Sequence, residues 1–164
     1  VHLGGAWQDI AEAEAQVRSG RVADRPYVLV AQQSLFDPQR APDGQHTLWA
    51  YCHVPAGCTA DVTDSIERQF DRFAPGWRDT VLARVATTPA DLERYNANYI
   101  GGAIDGGAAE LHRVLLRPTM GVDPYRVGRT NYWLCSSSTP PGPGVHGLCG
   151  VHAARSVLRE RSTR

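Results

Sequence analysis

Three glycines, Gly142, Gly144 and Gly147, stand immediately before a run of small and apolar residues, Leu148-Cys149-Gly150-Val151-His152-Ala153-Ala154. A glycine-rich turn that feeds a helix N-terminus is chemistry for anions. The first amides of the helix lack internal partners, the dipole there favours negative charge, and glycine lets backbone approach a ligand closely. The pattern predicts a strand over Thr130–Cys135, a loop over Ser136–Gly147 and a helix over Leu148–Leu158. Gly150, Ala153 and Ala154 would let that helix lie close against a sheet. This is half of a dinucleotide-type site. The other half, a G-x-G-x-x-G run after a first strand with an acidic residue about 20 positions on, does not occur. The nearest candidate, Gly101-Gly102-Ala103-Ile104-Asp105-Gly106-Gly107, has different spacing. The opening Val1-His2-Leu3-Gly4-Gly5 reads as the middle of a protein. The expectation is a C-terminal piece of a larger enzyme, with a complete processed chain as the alternative.

Two other constellations offer chemistry. Over His46–Val54 the residues alternate, with Leu48, Ala50, Cys52 and Val54 facing one way and Thr47, Trp49, Tyr51 and His53 the other, as in a strand. The Trp49-Tyr51-His53 face either lines a pocket or packs against a second layer, and periodicity alone does not decide between them. His146-x-x-Cys149-x-x-His152 places three metal-capable side chains within seven residues. No fourth ligand is evident and His146 precedes the helix, so the expectation is no metal. Cys52, Cys58, Cys135 and Cys149 form no CxxC pair and read as reduced thiols.

The elements that must position these residues follow from pattern. Ala6–Ser19 reads as a helix with Trp7, Ile10 and Val17 on one face and Gly20 as its stop. Tyr27–Val30 is an apolar strand, and Asp43-Gly44 a turn between it and the alternating segment. Asp61–Ala74 is an amphipathic helix with Val62, Ile66, Phe70 and Phe73 inward, capped by Asp61 or Thr63 and ended by Pro75-Gly76. Val81–Ala86 reads as a strand. Thr88-Pro89-Ala90-Asp91 opens a short helix ending near Asn96. Gly101–Gly107 is a loop whose backbone lies close to something else, and Leu111–Leu116 an apolar run. The expected fold class is α+β, with a sheet from the strands near Tyr27, Leu48 and Val81 covered by the Ala6 and Asp61 helices.

Composition bounds the function. At 164 residues the chain suits a sizeable core. The 17 basic residues are all arginine and are balanced by 17 acidic ones. Zero formal charge argues against nucleic acid or an anionic membrane as a bulk partner. With no lysine there is no P-loop, and without a G-x-S-x-G elbow the serines Ser136, Ser137 and Ser138 do not suggest a hydrolase. There is no apolar run of membrane-spanning length and no signal-peptide core. The location expected is cytoplasmic, with peripheral membrane contact compatible.

Gly142-Pro143-Gly144-Val145-His146-Gly147-Leu148-Cys149-Gly150, followed by Ala153-Ala154, resembles the C-terminal flavin motif of phytoene dehydrogenase-related oxidoreductases. These are FAD enzymes of the glutathione-reductase-type class, near the carotenoid desaturases. Arg25-Pro26, Asp37-Pro38, Ala41-Pro42, His46-Thr47-Leu48-Trp49, Phe73-Ala74-Pro75-Gly76, Thr88–Glu93 and Gly101–Gly107 resemble the same family's substrate domain. The resemblance implies that residues 1–128 are part of a substrate-binding domain, and that residues 129–164 are the C-terminal strand-loop-helix of the FAD-binding domain. It implies that Gly144, Val145, His146 and Gly147 lie against the flavin, and that Gly101-Gly102 and Gly106-Gly107 lie near its ring or the substrate. The implied partners are the N-terminal FAD-binding half of the same protein and an apolar small-molecule substrate, with homo-oligomers left open. Trp49, Tyr51 and His53 are the candidate cavity residues. No catalytic residue is named, though His53, His112 and His146 are chemically able. The alternative is a non-catalytic α+β binding or interaction module.

Overall fold

The computed structural model describes residues 1–105, 118, 121 and 123–162, which group into two compact units, Val1–Gly102 and Ala103–Arg164.

The first unit is built on a three-stranded antiparallel sheet of order β1 (His2–Leu3), β2 (Val28–Ala31), β3 (Trp49–Cys52). Leu3 pairs with Val28, Val28 with Cys52, and Val30 with Ala50. Period-2 alternation therefore sends Leu3, Val28, Val30, Ala50 and Cys52 to one face. On that face Leu3, Val28 and Phe70 are buried, with Val30, Ala50, Cys52, Ile66 and Trp77 packed around them. Burying a side chain such as Val28 or Phe70 contributes about 1.5–3 kcal/mol.

Ile66 and Phe70 come from α2 (Thr63–Phe73), whose first turn is fastened by the Thr63 amide donating to Asp61 at 2.8 Å. The expected inward face is right for Ile66 and Phe70, but Phe73 is half-exposed, under the Arg72 guanidinium. It sits in the last turn, beyond the reach of the small sheet. On α1 (Trp7–Arg18) the buried positions are Ala13 and Gln16, and Trp7 is exposed, contrary to the face read from Trp7, Ile10 and Val17. Gln16 turns inward because its carboxamide holds the following chain, accepting from the Asp24 amide at 2.9 Å.

The third strand is not where the sequence suggested. Val81–Ala86 forms no strand, and Val81, Leu82 and Val85 are exposed. Arg84 and Arg78 both reach the buried Glu67 carboxylate on α2, so ion pairs rather than a β-ladder anchor this segment. The sheet edge is taken by His2–Leu3 instead. Leu48 lies outside β3 and is half-exposed, so it does not share the buried face of Cys52.

Several local readings match. Asp43-Gly44 is a turn, with Gly44 at φ 74°. In α3 (Pro89–Tyr95) Thr88 caps the start: its hydroxyl accepts from the Asp91 amide at 3.2 Å while Asp91 accepts from the Thr88 amide at 2.8 Å. Gly101 and Gly102 form a short 3-10 turn, both with positive φ. A Cβ on Gly102 would stand 2.5 Å from Pro89 Cα, so the close backbone approach expected there is real. Gly106, Gly107, His112 and the Leu111–Leu116 run lie outside the described residues.

In the second unit the expected strand over Thr130–Cys135 is absent. A tight turn replaces it: the Val127 amide donates to Tyr132 at 3.0 Å, Gly128 has φ 58°, and a single antiparallel bridge joins Arg126 to Trp133. With no neighbouring strand among the described residues to extend the ladder, Tyr132 stays exposed. The helix is present and longer than expected, α4 (Leu148–Ser162). Its buried positions are Cys149, Ala153 and Ser156, at i, i+4 and i+7, while Gly150 and Ala154 face solvent. No helix among the described residues is long and apolar enough to cross a membrane.

Candidate functional site

The glycine loop closes on the start of α4. Thr139, fully buried, fastens the loop by donating to Ser136 O from both its amide and hydroxyl, at 2.9 and 2.8 Å. Gly142 then donates to Thr139 O at 2.9 Å. The buried Cys149 thiol points back under the loop, 3.5 Å from Thr139 O and 3.4 Å from Gly142 O. Gly142, Gly144 and Gly147 have φ of 104°, 151° and 65°, a backbone region that side chains disfavour.

His146 completes the end of the helix. Its Nδ1 accepts from the Leu148 amide at 3.0 Å. With Nδ1 accepting, the neutral ring carries its proton on Nε2. The ring fills the space beside Gly144, where a Cβ would lie 2.7 Å from His146 Cδ2. The first intrahelical bond runs from Val151 to Gly147 O, so the Cys149 and Gly150 amides precede the helical ladder.

Loop and helix end together enclose a depression of about 150 Å³, lined by Gly142, Gly144, His146, Gly147, Cys149 and Gly150 among others. Val145 is fully exposed and is not among the residues that line the depression. A Cβ on Gly150 would meet nothing within 4 Å. These features fit the polar edge of a flavin, or a phosphate arm: a glycine-lined wall, outward amides and a positive dipole end. The same three groups of the His146-x-x-Cys149-x-x-His152 pattern have separate duties. His146 holds the Leu148 amide, Cys149 lies beneath the loop, and His152 rests 6.0 Å from the Tyr125 ring.

A network that the sequence reading missed holds the depression in place. Trp133 Nε1 donates to the buried Ser156 hydroxyl at 3.0 Å, and Ser156 donates in turn to Asp123. Tyr125 donates to Pro140 O at 3.1 Å, and Arg126 pairs with Glu160 at 2.8 Å while lying over the Trp133 ring. Burial raises the Tyr125 phenol above its ordinary value, so it stays a hydrogen-bond donor at neutral pH. The signal that could have found Ser156 is its place in the i, i+4, i+7 series with Cys149 and Ala153.

In the first unit, Trp49, Tyr51 and His53 form a ring ladder on the sheet face opposite the core. Their centroids are 5.0 Å apart for Trp49–Tyr51 and 5.9 Å for Tyr51–His53. His53 Nδ1 meets the Glu14 carboxylate of α1 at 2.9 Å. The four cysteines are free thiols. Burial, with Cys58 and Glu14 nearby, pushes the Cys52 thiol up to about 11.

No protein-family model matches the chain, and no solved structure gives a significant match. Curated proteins do. The chain is 30% identical over 161 residues to the pyridine nucleotide-disulfide oxidoreductase domain-containing protein 2 of Mus musculus, covering 91% of this chain and 28% of that protein. The Rattus norvegicus protein of the same name gives the same identity and coverage. A phytoene dehydrogenase from Streptomyces griseus is 25% identical over 184 residues, covering 100% of this chain and 34% of that enzyme. The chain thus spans about a third or less of the length of these relatives. The likenesses relate the chain to pyridine nucleotide-disulfide and flavin oxidoreductase-like proteins.

Proposed function

We propose that this chain is the C-terminal part of an FAD-dependent oxidoreductase of the dehydrogenase or desaturase kind, acting on an apolar substrate. The observation that supports this most is the depression at the start of α4, because it puts the motif read from sequence into a three-dimensional cup. The likeness to oxidoreductases across 91% or more of the chain supports it independently.

In this reading Gly144, Val145, His146 and Gly147 form the wall against the cofactor. The bound flavin supplies the hydride chemistry. The chain's own residues position and shield it. The Cys149 and Gly150 amides face its polar edge, and Cys149 and Thr139 keep the loop rigid from beneath. His146 Nε2 offers a second donor at the rim. Trp49, Tyr51 and His53 offer an aromatic wall to an apolar substrate, with His53 oriented by Glu14. Residues 1–128 belong to a substrate-binding domain and residues 129–164 to the end of the FAD domain. An N-terminal half holding the glycine fingerprint is the required partner.

The test is absorbance of two purified proteins side by side. The parent polypeptide should show flavin bands. Residues 1–164 alone should be colourless. The remaining amides offer only a few bonds of roughly 0.5–1.5 kcal/mol each, too little to hold a large ligand. A colourless parent would reject the reading in favour of a non-catalytic binding module.

A further inference from the structure

The first unit contains a second cleft, of about 390 Å³, lined by Asp24, Arg25, Arg68, Gln69, Asp71 and Arg72. Arg25 lies just before β2, and Arg68 and Arg72 lie one turn apart on α2, so both present to one side of the helix. Three guanidiniums therefore converge on one opening.

Among the described residues, none of these three forms an ion pair with a carboxylate. Arg40, Arg78, Arg84, Arg94 and Arg126 all pair with carboxylates. Among the described residues, Arg68 donates only to Ser65 Oγ at 2.7 Å, and Arg72 only to Gln69 Oε1 at 2.6 Å. Arg25 makes no hydrogen bond or ion pair among them. The two acids lining the cleft do not neutralise them. Asp71 accepts from Arg78 at 3.0 and 2.9 Å and from Trp77 at 2.8 Å. Asp24 accepts from Gln16 at 3.4 Å. Gln69 is buried, with its carbonyl committed to Arg72. The cleft thus gathers three cations against one acid not tied to an arginine.

We propose that this cleft binds a phosphoryl anion of diphosphate size, held by Arg25, Arg68 and Arg72. Guanidinium forks match phosphate oxygens in pairs, and several forks around one opening select a multiply charged group over a single carboxylate. The site uses residues of the first unit alone and does not depend on the flavin reading. The same chemistry comes from a free diphosphate or from the phosphate headgroup of a lipid.

The experiment titrates the chain with inorganic pyrophosphate by calorimetry and, in a second arm, sediments it with phosphatidate-containing vesicles. Arg25→Gln, the pair Arg68→Gln with Arg72→Gln, and Arg40→Gln as a control are compared with wild type. Each cleft arginine should contribute at least about tenfold in affinity, the size of one hydrogen bond to a charged group. Arg40→Gln should change nothing, and binding should weaken with added salt. Pyrophosphate binding that falls in the cleft variants supports a free diphosphate. Vesicle binding alone, with the same dependence on the arginines, supports a lipid phosphate. No binding in either arm, or equal binding by all variants, overturns the proposal. Should the α2 pair lose helicity by circular dichroism, Arg25→Gln decides, since that side chain makes no hydrogen bond among the described residues.

Discussion

Trp133 and Ser156 are joined by a hydrogen bond of 3.0 Å from the indole Nε1 to the serine hydroxyl. It links the turn before the glycine loop to the middle of α4, and Ser156 passes the bond on to Asp123. The glycine loop between them is therefore bracketed at both ends. Ser156→Ala would leave the indole and a carboxylate short of a partner. We expect a loss of about 1–3 kcal/mol, the cost of unsatisfied polar groups in a shielded place. Urea unfolding of the variant beside wild type measures it.

Thr88→Ala removes the hydroxyl that caps α3, and should cost about 0.5–2 kcal/mol in the same measurement. The Asp91 carboxyl is held below its ordinary value of 3.8, first by the Thr88 side chain and then by the Thr88 amide. A group whose folded pKa is depressed stabilises the fold above its unfolded value and loses that contribution as pH falls through the folded one. Wild type should therefore lose stability below about pH 3.8 in part through Asp91, and Thr88→Ala should flatten that part of the profile.

The capping box at Thr88 was legible in sequence because its bonds are local. So were the glycine loop, the helix after it and the alternation of β3. The sheet's third member was not. Val81–Ala86 has the apolar content of a strand, yet Arg78 and Arg84 bind it to Glu67, a contact across more than ten residues that no short pattern reveals. His2–Leu3 is too short to show periodicity. Trp133 looked like the centre of a strand, but the turn around Gly128 allows one bridge only. Of the residues lining the depression, Gly142, Gly144 and Gly147 stand out in sequence by type and spacing, and His146 by the motif resemblance. Ser156, Asp123 and the arginine cleft were missed because tertiary packing brings them together.

Cys52 should alkylate more slowly than the equally accessible Cys58 and the exposed Cys135. Its pKa of about 11 leaves it protonated at neutral pH, and the thiolate is the nucleophile. Cys135 is exposed and should react first. Timed iodoacetamide labelling with peptide mass spectrometry reads the order. Early labelling of Cys52 would show that the sheet face is open.

The central claim is that the depression at the start of α4 holds flavin. Gly150 tests it most directly. Gly144 and Gly147 have positive φ, so a side chain at either strains the loop whatever binds there. Gly150 lies in regular helix and has open space where its Cβ would be. Gly150→Leu should keep or improve helicity, since leucine favours helix over glycine by nearly 1 kcal/mol. Its side chain would stand at the edge of the depression that Gly150 lines. The measurement is flavin per polypeptide in the purified parent carrying Gly150→Leu, with circular dichroism as the check on folding. Loss of most of the flavin from a folded variant is the result predicted here. Full flavin occupancy with leucine in place would contradict it.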